Sequence, residues 1–525
     1  MIRNPSVTRK TSRSRGRHEG LPRVAYRYTF LLHAYPRHPR ERFLGTSADL
    51  AHSGALGAPL PSPLGEVMPQ FPEQASTNWV LSTFIYTVGA VAVLLVVAGL
   101  VFVDTGLVRR RNVLDTTVQK IGAAMVGGLG TLLIGYPIWQ WQFNQAFGVP
   151  EPFRQAVRDW WLGGAFTTTS SRYVDPAALP EADVQQIFLV FFVTFTMATV
   201  ALIHTGVVER IKPVPLYVMS FVVGAVLSPL VGYLCWGSLS PLTLRGTHDF
   251  DGVFPLYITA GTFVLVLAWR VGPRLGAFLP HRSGAKPASH NAAFVGIGVL
   301  LILVALPFVT LGSGYIVPGT GFFGISFTES GLGLVVVNLF AALLGGAVTG
   351  LLLAYRRRDA TSALLGPVAG VVMAGTLLDI GNAWECLLVG ALGPVVALGT
   401  AALLKKARID DPKVVPLALG PGAIGAVLTG FLKWGTRTGG YLGLDGAHAV
   451  GVGEITPWWQ LAGVVATMLV AGVPALLLCL VFERFDGLRA SEHEELVGLD
   501  QTRWGVSNFA DDLEAMPVAE PPVPA

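Results

Sequence analysis

Apolar runs of about 20 residues recur along most of the 525-residue chain, and short polar loops separate them. A helix of about 20 apolar residues crosses a bilayer, and it satisfies its own backbone groups in lipid. The pattern therefore predicts an all-α polytopic membrane protein with eleven transmembrane helices. The predicted spans are residues 79–103, 119–141, 186–208, 214–236, 253–270, 291–311, 331–355, 363–381, 384–404, 414–433 and 457–482.

Basic residues concentrate in the loops after spans one, three, five, seven and nine. They are Arg109, Arg110, Arg111, Arg210, Lys212, Arg270, Arg274, Arg282, Lys286, Arg356, Arg357, Arg358, Lys405, Lys406 and Arg408. These alternate loops share one side of the membrane, and cytoplasmic loops are the ones enriched in Lys and Arg. The predicted topology has the N-terminus outside and the C-terminus in the cytoplasm.

Three regions follow from this topology. Residues 1–75 are rich in Arg, Pro and Ser and are expected to be a disordered basic leader. A basic leader would lie on the wrong side of the membrane, so we expect translation to start at Met68. Residues 76–484 form the membrane domain, and residues 485–525 form a cytoplasmic tail that is disordered at its Pro-rich end.

Composition narrows the possible functions. The chain is 52% hydrophobic and 13% charged, against about 25% charged in soluble domains. Its three cysteines have no metal-site spacing, and no nucleotide-binding, metalloprotease or nucleophile-elbow motif stands in a credible context. We therefore expect a protein that is not an enzyme, with no cofactor, no metal and no nucleic-acid partner.

Spans five and ten begin alike, with DGVFPLYITAG and VVPLALGPG. Each has Pro-Leu and a glycine near one end. Spans that are five apart run in opposite directions, so an inverted five-plus-five repeat with an eleventh helix would produce this match. Chance is the alternative, because Pro, Leu and Gly are common in this chain.

Six segments resemble the ammonium transporter (Amt/Rhesus) family. GLVFVDTGLVRRRNVL in span one is similar to the family's GLALFYGGLVRRKNVL, and VTFTMATVALIHTGVVERIK in span three is similar to its FA…ERMK segment. LCWG and HDFDG resemble VWG and LDFAGG, and IDDPKVVPLALGPG resembles IDDxxDVFGVHGVGG. GLRASEHEELVGLD in the tail is similar to GLRVSEEEEREGLD. The resemblance covers residues 78–505 and implies an eleven-helix fold and a homotrimer.

The resemblance also implies an outer site for the ammonium cation. Trp236 matches the site tryptophan, whose ring face attracts a cation by about 0.5–2 kcal/mol, and Ser313 matches the site serine. Phe195 matches one ring of a gate, and the second ring falls on Val309 and is missing. Asp249 matches a structural aspartate, and its place before span five also suits a helix cap.

Each of these side chains has a simpler interpretation. Trp236 suits an interfacial anchor, Phe195 suits the core, and Ser313 suits a hydrogen bond to its own backbone. His204 is expected to make a helix–helix hydrogen bond, and His248 is expected in an external loop. Asp379 and Glu385 are expected to be solvated loop charges.

Two positions depart from the family. The resemblance implies a histidine from span five and another from span ten, which meet in the pore and relay protons. Here they fall on Tyr257 and Leu419. Tyrosine titrates near pH 10 and leucine has no polar group, so this pore centre is predicted to be more apolar than in the family.

The tail keeps the family pattern at Gly487, Arg489, Gly498 and Asp500. By resemblance it packs under a neighbouring subunit and takes part in regulation by PII signal proteins. The predicted function is movement of ammonia or ammonium across the cytoplasmic membrane. A channel for another small neutral solute and a non-conducting ammonium receptor are the alternatives.

Overall fold

The computed structural model describes residues 77–168, 182–278, 290–317, 321–411 and 413–506. The predicted leader, its proposed start at Met68 and the Pro-rich end of the tail lie outside the described residues.

Ten helices among the described residues are long and apolar enough to cross a membrane. An eleventh, α8, is apolar but has only 15 residues. This architecture confirms an all-α polytopic membrane protein, whereas the count of eleven spans depends on α8 and stays a prediction. The helices are α1 (Leu81–Leu107), α2 (Arg110–Ala146), α3 (Val184–Thr205), α4 (Pro213–Trp236), α5 (Val253–Val271), α6 (Ala292–Leu311), α7 (Leu332–Arg357), α8 (Ala360–Ala374), α9 (Ala383–Lys406), α10 (Val415–Leu432) and α11 (Pro457–Phe485).

Helix α8 ends well before its predicted limit at residue 381. The chain continues from Gly375 as a series of turns. The side chain of Asn338, on α7, donates hydrogen bonds to the carbonyls of Leu378 (2.8 Å) and Gly381 (2.9 Å). Because a neighbouring helix satisfies these carbonyls, the segment does not need to continue as a helix.

Small sheets and long loops gather at one end of the bundle. Strands β1 (Gly314–Val317), β2 (Gly321–Gly324) and β3 (Glu329–Ser330) form an antiparallel sheet in the order β1-β2-β3, and β4 (Arg437–Thr438) pairs with β5 (Gly453–Glu454). The loops join one another: the N–H of Gly439 donates to the carbonyl of Ser326 (3.0 Å), and Ser326 Oγ donates to the carbonyl of Asp249 (2.8 Å).

The loops after α3, α5 and α9 meet at the other end. Arg274 donates hydrogen bonds to both carboxylate oxygens of Asp410, at 2.8 and 2.9 Å, and Arg210 donates to the same carboxylate at 2.8 Å. Burial works against the ionised carboxylate, but Arg274 and Arg210 hold the pKa of Asp410 well below its usual value. The basic loops thus form one cross-linked layer, and its cytoplasmic orientation stays a prediction from charge.

Glycines set how closely α7 and α8 approach. A Cβ on Gly346 would lie 2.8 Å from Cα of Gly370, and a Cβ on Gly366 would lie 2.8 Å from Cα of Gly350. The two helices therefore cross with backbone against backbone, which small residues spaced four apart allow in lipid. This contact holds the short α8 inside the bundle.

Replacing Gly366 with leucine is expected to destabilise the fold. The side chain would meet the backbone of Gly350, which cannot rotate away, and overpacking of this kind costs about 1–3 kcal/mol or more. The apparent melting temperature of the detergent-solubilised protein should fall by several degrees. Gly399→Leu on α9 is the control, because a Cβ there meets nothing within 4 Å. Equal melting temperatures for the two variants would contradict the close crossing.

Candidate functional site

Helices α5 and α10 begin in the same way. The carboxylate of Asp249 accepts the N–H groups of Val253 (3.0 Å) and Phe254 (3.1 Å). The carboxylate of Asp411 accepts the N–H groups of Val414 (3.0 Å) and Val415 (2.6 Å). Each helix then opens with a π-helical turn, Val253–Ile258 in α5 and Val415–Leu419 in α10. The two segments with similar sequences therefore share both a carboxylate cap and a π-helical turn.

The two π-helical turns contact each other at the centre of the bundle. A Cβ on Gly261 would lie 2.6 Å from Cβ of Leu419, and a Cβ on Gly422 would lie 3.7 Å from Cβ of Tyr257. Each segment thus places a glycine against the residue that stands at the family's histidine position in the other. Tyr257 and Leu419 lie in one hydrophobic cluster, and we call these two residues the central layer.

The central layer offers little to a polar solute. Leu419 is 8% exposed, and Tyr257 is half-buried. Within the part of the chain that the structure describes, the hydroxyl of Tyr257 makes no hydrogen bond. The two side chains of this layer carry one neutral hydroxyl and no charge, and an apolar pore centre stays a prediction.

An aromatic cluster lies between the central layer and the end that carries the sheets. Phe195 meets Trp236 edge to face at 5.1 Å between ring centroids, and Phe192 and Trp139 cover the same indole. Trp236 is only 1% exposed, and its Nε1 donates to the Asp249 carboxylate at 3.1 Å. The structure therefore brings three of the predicted residues together, Phe195, Trp236 and Asp249. Neighbouring rings cover the tryptophan. The role of its ring in binding a cation stays a prediction.

Ser313 and Val309 lie at the end of α6. Ser313 is buried, and its hydroxyl donates to the carbonyl of Val309 at 3.4 Å. Val309 packs against the aromatic cluster that contains Phe195. The serine thus adopts the backbone hydrogen bond that was its simpler interpretation, while Val309 adds no ring to the cluster.

The carboxyl group of Asp249 links the aromatic cluster to the cap of α5. It accepts two backbone N–H groups and the indole N–H of Trp236. Burial raises the pKa of Asp249 to about 6, since these hydrogen bonds only partly compensate for lost hydration. The group is therefore mainly ionised at pH 7, as an acceptor of three donors should be.

A buried ionic cluster lies on the other side of the central layer from the aromatic cluster. The carboxylate of Asp104, on α1, contacts Lys120 Nζ at 2.7 Å and Lys413 Nζ at 2.6 Å. Lys120 also donates to the Thr205 hydroxyl at 2.8 Å and to the carbonyl of Ala201 at 2.7 Å. Sequence analysis missed this cluster, although charged residues inside the apolar runs VFVDTG and VQKIGAA were a usable signal.

The structure corrects three of these expectations, which are those for Asp379, Glu385 and His204. His248 and Asp379 are both buried and pair at 3.0 Å, so Asp379 is not a solvated loop charge. Glu385 caps the start of α9 and pairs with Lys433 at 2.6 Å. His204 is 1% exposed, but its Nδ1 makes no hydrogen bond among the described residues, so that atom makes no helix–helix bond. Composition could not predict the pair of His248 and Asp379, because the two residues lie 131 positions apart and meet only in the folded chain.

A sequence model of the Ammonium Transporter Family matches residues 84–509. The chain belongs to the ammonium transporter family. The match confirms the predicted family, and it covers the capped segments, the aromatic cluster and the first part of the tail.

Similar proteins span nearly the same length. Ammonium transporter Amt1 of Methanocaldococcus jannaschii is 25% identical over 426 residues, which are 80% of this chain and 95% of that protein. An ammonium transporter of Bacillus subtilis is 24% identical, covering 81% and 97%. The structure resembles one titled Sensor Amt Protein, with TM-score 0.62, 18% identity and coverage of 81% and 98%. It also resembles Saccharomyces cerevisiae Mep2, with TM-score 0.58, 18% identity and coverage of 79% and 92%.

The tail packs against other parts of the same chain. The Asp500 carboxylate accepts the N–H groups of Leu114 (3.0 Å) and Asp115 (2.8 Å) at the start of α2. Arg489 donates to the buried carboxylate of Glu495 at 2.6 Å. The family-pattern residues therefore have structural partners, which sequence could not show. Their regulatory role stays a prediction.

The backbone at the two tail glycines explains their residue type. Gly498 has φ +115°, and a Cβ there would lie 2.7 Å from Cβ of Arg111. Gly487 has φ +78° with open space around it. Both are backbone conformations that other residues rarely adopt.

Replacing Asp249 with asparagine should weaken the link between α4 and α5. Asparagine has one acceptor oxygen for three N–H donors, so the free energy of unfolding is expected to fall by about 1–3 kcal/mol. Thermal unfolding, followed by tryptophan fluorescence in detergent, measures the change. Asp445→Asn on an exposed loop is the matched control. Identical unfolding curves for the two variants would contradict the three-donor cap.

Proposed function

We propose that this protein moves ammonia across the cytoplasmic membrane. Membership of the ammonium transporter family, over residues 84–509, is the observation that carries the proposal. The transport needs no covalent chemistry, because the substrate leaves the protein as it enters. The bundle of membrane-crossing helices supplies the pathway, which runs beside the crossing of α5 and α10 and is lined there by Tyr257 and Leu419.

The species that crosses the central layer is neutral ammonia. A bare cation at the centre of a membrane is costly, and a pathway lined by Tyr257 and Leu419 offers it one hydroxyl and no charge. Ammonia loses far less hydration than ammonium on entering such a layer. The proton therefore stays on the outer side, since this layer lacks the histidine pair that the family resemblance implies.

Ammonium is recruited at the aromatic cluster, over the ring of Trp236. The ring is attractive to a cation, and the nearby Asp249 carboxylate adds a negative charge. Because the indole is covered in this structure, recruitment requires the ring of Phe195 or Phe192 to move aside. Ser313 would turn its hydroxyl from the carbonyl of Val309 toward the cation.

The protein assembles as a homotrimer, and its tail contacts a PII-type signal protein. The family resemblance supports both parts of this proposal. The docked tail adds a physical route, because Asp500 connects it to the start of α2, just after the loop that follows α1, and Glu495 connects it to the loop after α5. A partner that pulls the tail away would loosen those loops.

Purified protein in vesicles should speed the entry of ammonia. After an ammonium chloride pulse, an internal pH dye is expected to report faster alkalinisation than in protein-free vesicles, because entering ammonia takes up protons inside. Tyr257→Phe should keep this rate within about twofold, since the hydroxyl makes no hydrogen bond among the described residues.

Two results would contradict transport of ammonia. Ammonium binding by calorimetry without alkalinisation would instead identify a non-conducting receptor. Swelling of the vesicles in another small neutral solute, without a response to ammonium, would identify a different substrate.

A further inference from the structure

Asp251 is a buried carboxylate that has few hydrogen-bond donors. It lies two residues after Asp249, just before α5, and only 4% of it is exposed. Among the described residues, its carboxylate accepts one hydrogen bond, from the hydroxyl of Thr310 at 2.9 Å. The carboxylates of Asp249 and Asp411 each accept three N–H groups. A carboxylate has room for about four donors, so Asp251 is able to receive a further one.

The family resemblance does not account for this residue. Asp251 is the second aspartate of HDFDG, and it stands where the similar family segment LDFAGG has alanine. Alanine makes no side-chain hydrogen bond, so the resemblance gives no structural reason for a carboxylate here. Burying a carboxylate with few donors is costly, which points to a role in function.

Asp251 lies beside the aromatic cluster. A Cβ on Gly252, the next residue, would lie 2.6 Å from Cζ of Phe195 and 3.4 Å from Cζ2 of Trp236. The end of α6, which carries Thr310, packs against the same cluster. The carboxylate is therefore close to the rings where ammonium is proposed to be recruited.

The carboxylate also lies within electrostatic range of the central layer. Asp251 interacts electrostatically with Tyr257, which is only half-buried. Tyr257 shares a helix face with Gly261, four residues on, and Gly261 packs against Leu419. The accessible surface of Tyr257 thus lies at the crossing of α5 and α10, inside the bundle, and Asp251 stands at the outer side of this crossing.

The elements packed against Asp251 bring no basic partner among the described residues. Helix α6 contributes Thr310, which does not ionise at neutral pH. The turns after α8 contribute Gly375, whose carbonyl accepts the N–H of Asp251 at 3.4 Å. The acidic residue of those turns, Asp379, pairs with His248 instead. The negative charge of Asp251 is therefore left to attract a cation.

Asp251 is able to exchange a proton near neutral pH. Burial raises the pKa of Asp251 to about 7; the hydrogen bond from Thr310 opposes this shift, and the negative charge of Asp249 adds to it. The carboxyl group is thus ionised in about half of the molecules at about pH 7, whereas an ordinary aspartate is almost fully ionised there. A group that accepts protons in a reaction works best with a pKa near the working pH.

We infer that Asp251 accepts a proton from ammonium beside the aromatic cluster, so that neutral ammonia continues to the central layer. One N–H bond of ammonium breaks, and its proton forms an O–H bond with the carboxylate, which becomes a neutral carboxylic acid. The acid then returns this proton to the water on the outer side. The inference rests on the proposed function and deepens it, because it names the residue that separates the proton from ammonia.

The pH dependence of entry should follow the ionised fraction of Asp251. At a fixed ammonium chloride concentration, the protein-dependent rate of internal alkalinisation in proteoliposomes is expected to rise about tenfold from an external pH of about 6 to about 8, and then to level off. A carboxyl group with a pKa of about 7 gains its charge over this range. Ammonia that entered without Asp251 would instead follow its own concentration in the water, which rises about a hundredfold over the same range.

Two variants separate this role from a structural one. Asp251→Asn keeps an oxygen that accepts from Thr310 but cannot take up the proton, so the rate should fall by about a hundredfold and lose its pH dependence. Thr310→Val removes a hydrogen bond that favours the ionised carboxylate, so the midpoint of the pH profile should move to higher pH. Asp445→Asn, on an exposed loop, is the matched control and should behave as the wild type.

Each contrary result has a distinct meaning. A wild-type rate in Asp251→Asn, or a hundredfold rise with pH in the wild type, would overturn the inference alone. An unshifted midpoint in Thr310→Val would also overturn it, whether or not Asp251→Asn folds. Absence of protein-dependent alkalinisation in the wild type would overturn the proposed function and the inference with it.

Discussion

The close crossing of α5 and α10 organises the rest of this structure. Each helix begins at a buried carboxylate and a π-helical turn, and α5 approaches so closely at Gly261 that an added Cβ would lie 2.6 Å from Cβ of Leu419. In lipid no water completes an unpaired backbone, so the distorted turns need the caps that Asp249 and Asp411 supply. The aromatic cluster lies on one side of this crossing and the ionic cluster on the other.

Much of the fold could be predicted from the apolar pattern, because a membrane forces helices of nearly fixed length. The pattern predicted too long a helix at α8. There the side chain of Asn338 donates hydrogen bonds to two carbonyls that would otherwise accept bonds within a longer helix. The candidate site was predictable only through family resemblance, which located Trp236 and Tyr257. Periodicity could not show that Phe195 covers the indole, since that contact joins residues 41 positions apart.

The sequence shows charged residues within the apolar runs, but only the fold shows which side chains these residues contact. Asp104 and Lys120 stand within apolar runs, yet Lys413 lies 309 residues from Asp104 and joins it only in the folded chain. The central layer offers a cation one neutral hydroxyl and no charge, so we propose that a channel with this lining, which lacks the histidine pair, carries neutral ammonia.

The most direct test of that account is the voltage dependence of ammonia entry into proteoliposomes. A membrane potential acts on a crossing elementary charge with about 2.3 kcal/mol per 100 mV, whereas it does not act on a neutral molecule. An imposed potential of about 100 mV, inside negative, should leave the rate of internal alkalinisation after an ammonium pulse unchanged. A rate or a current that grows with the potential would contradict the account, because it would show that charge crosses the central layer.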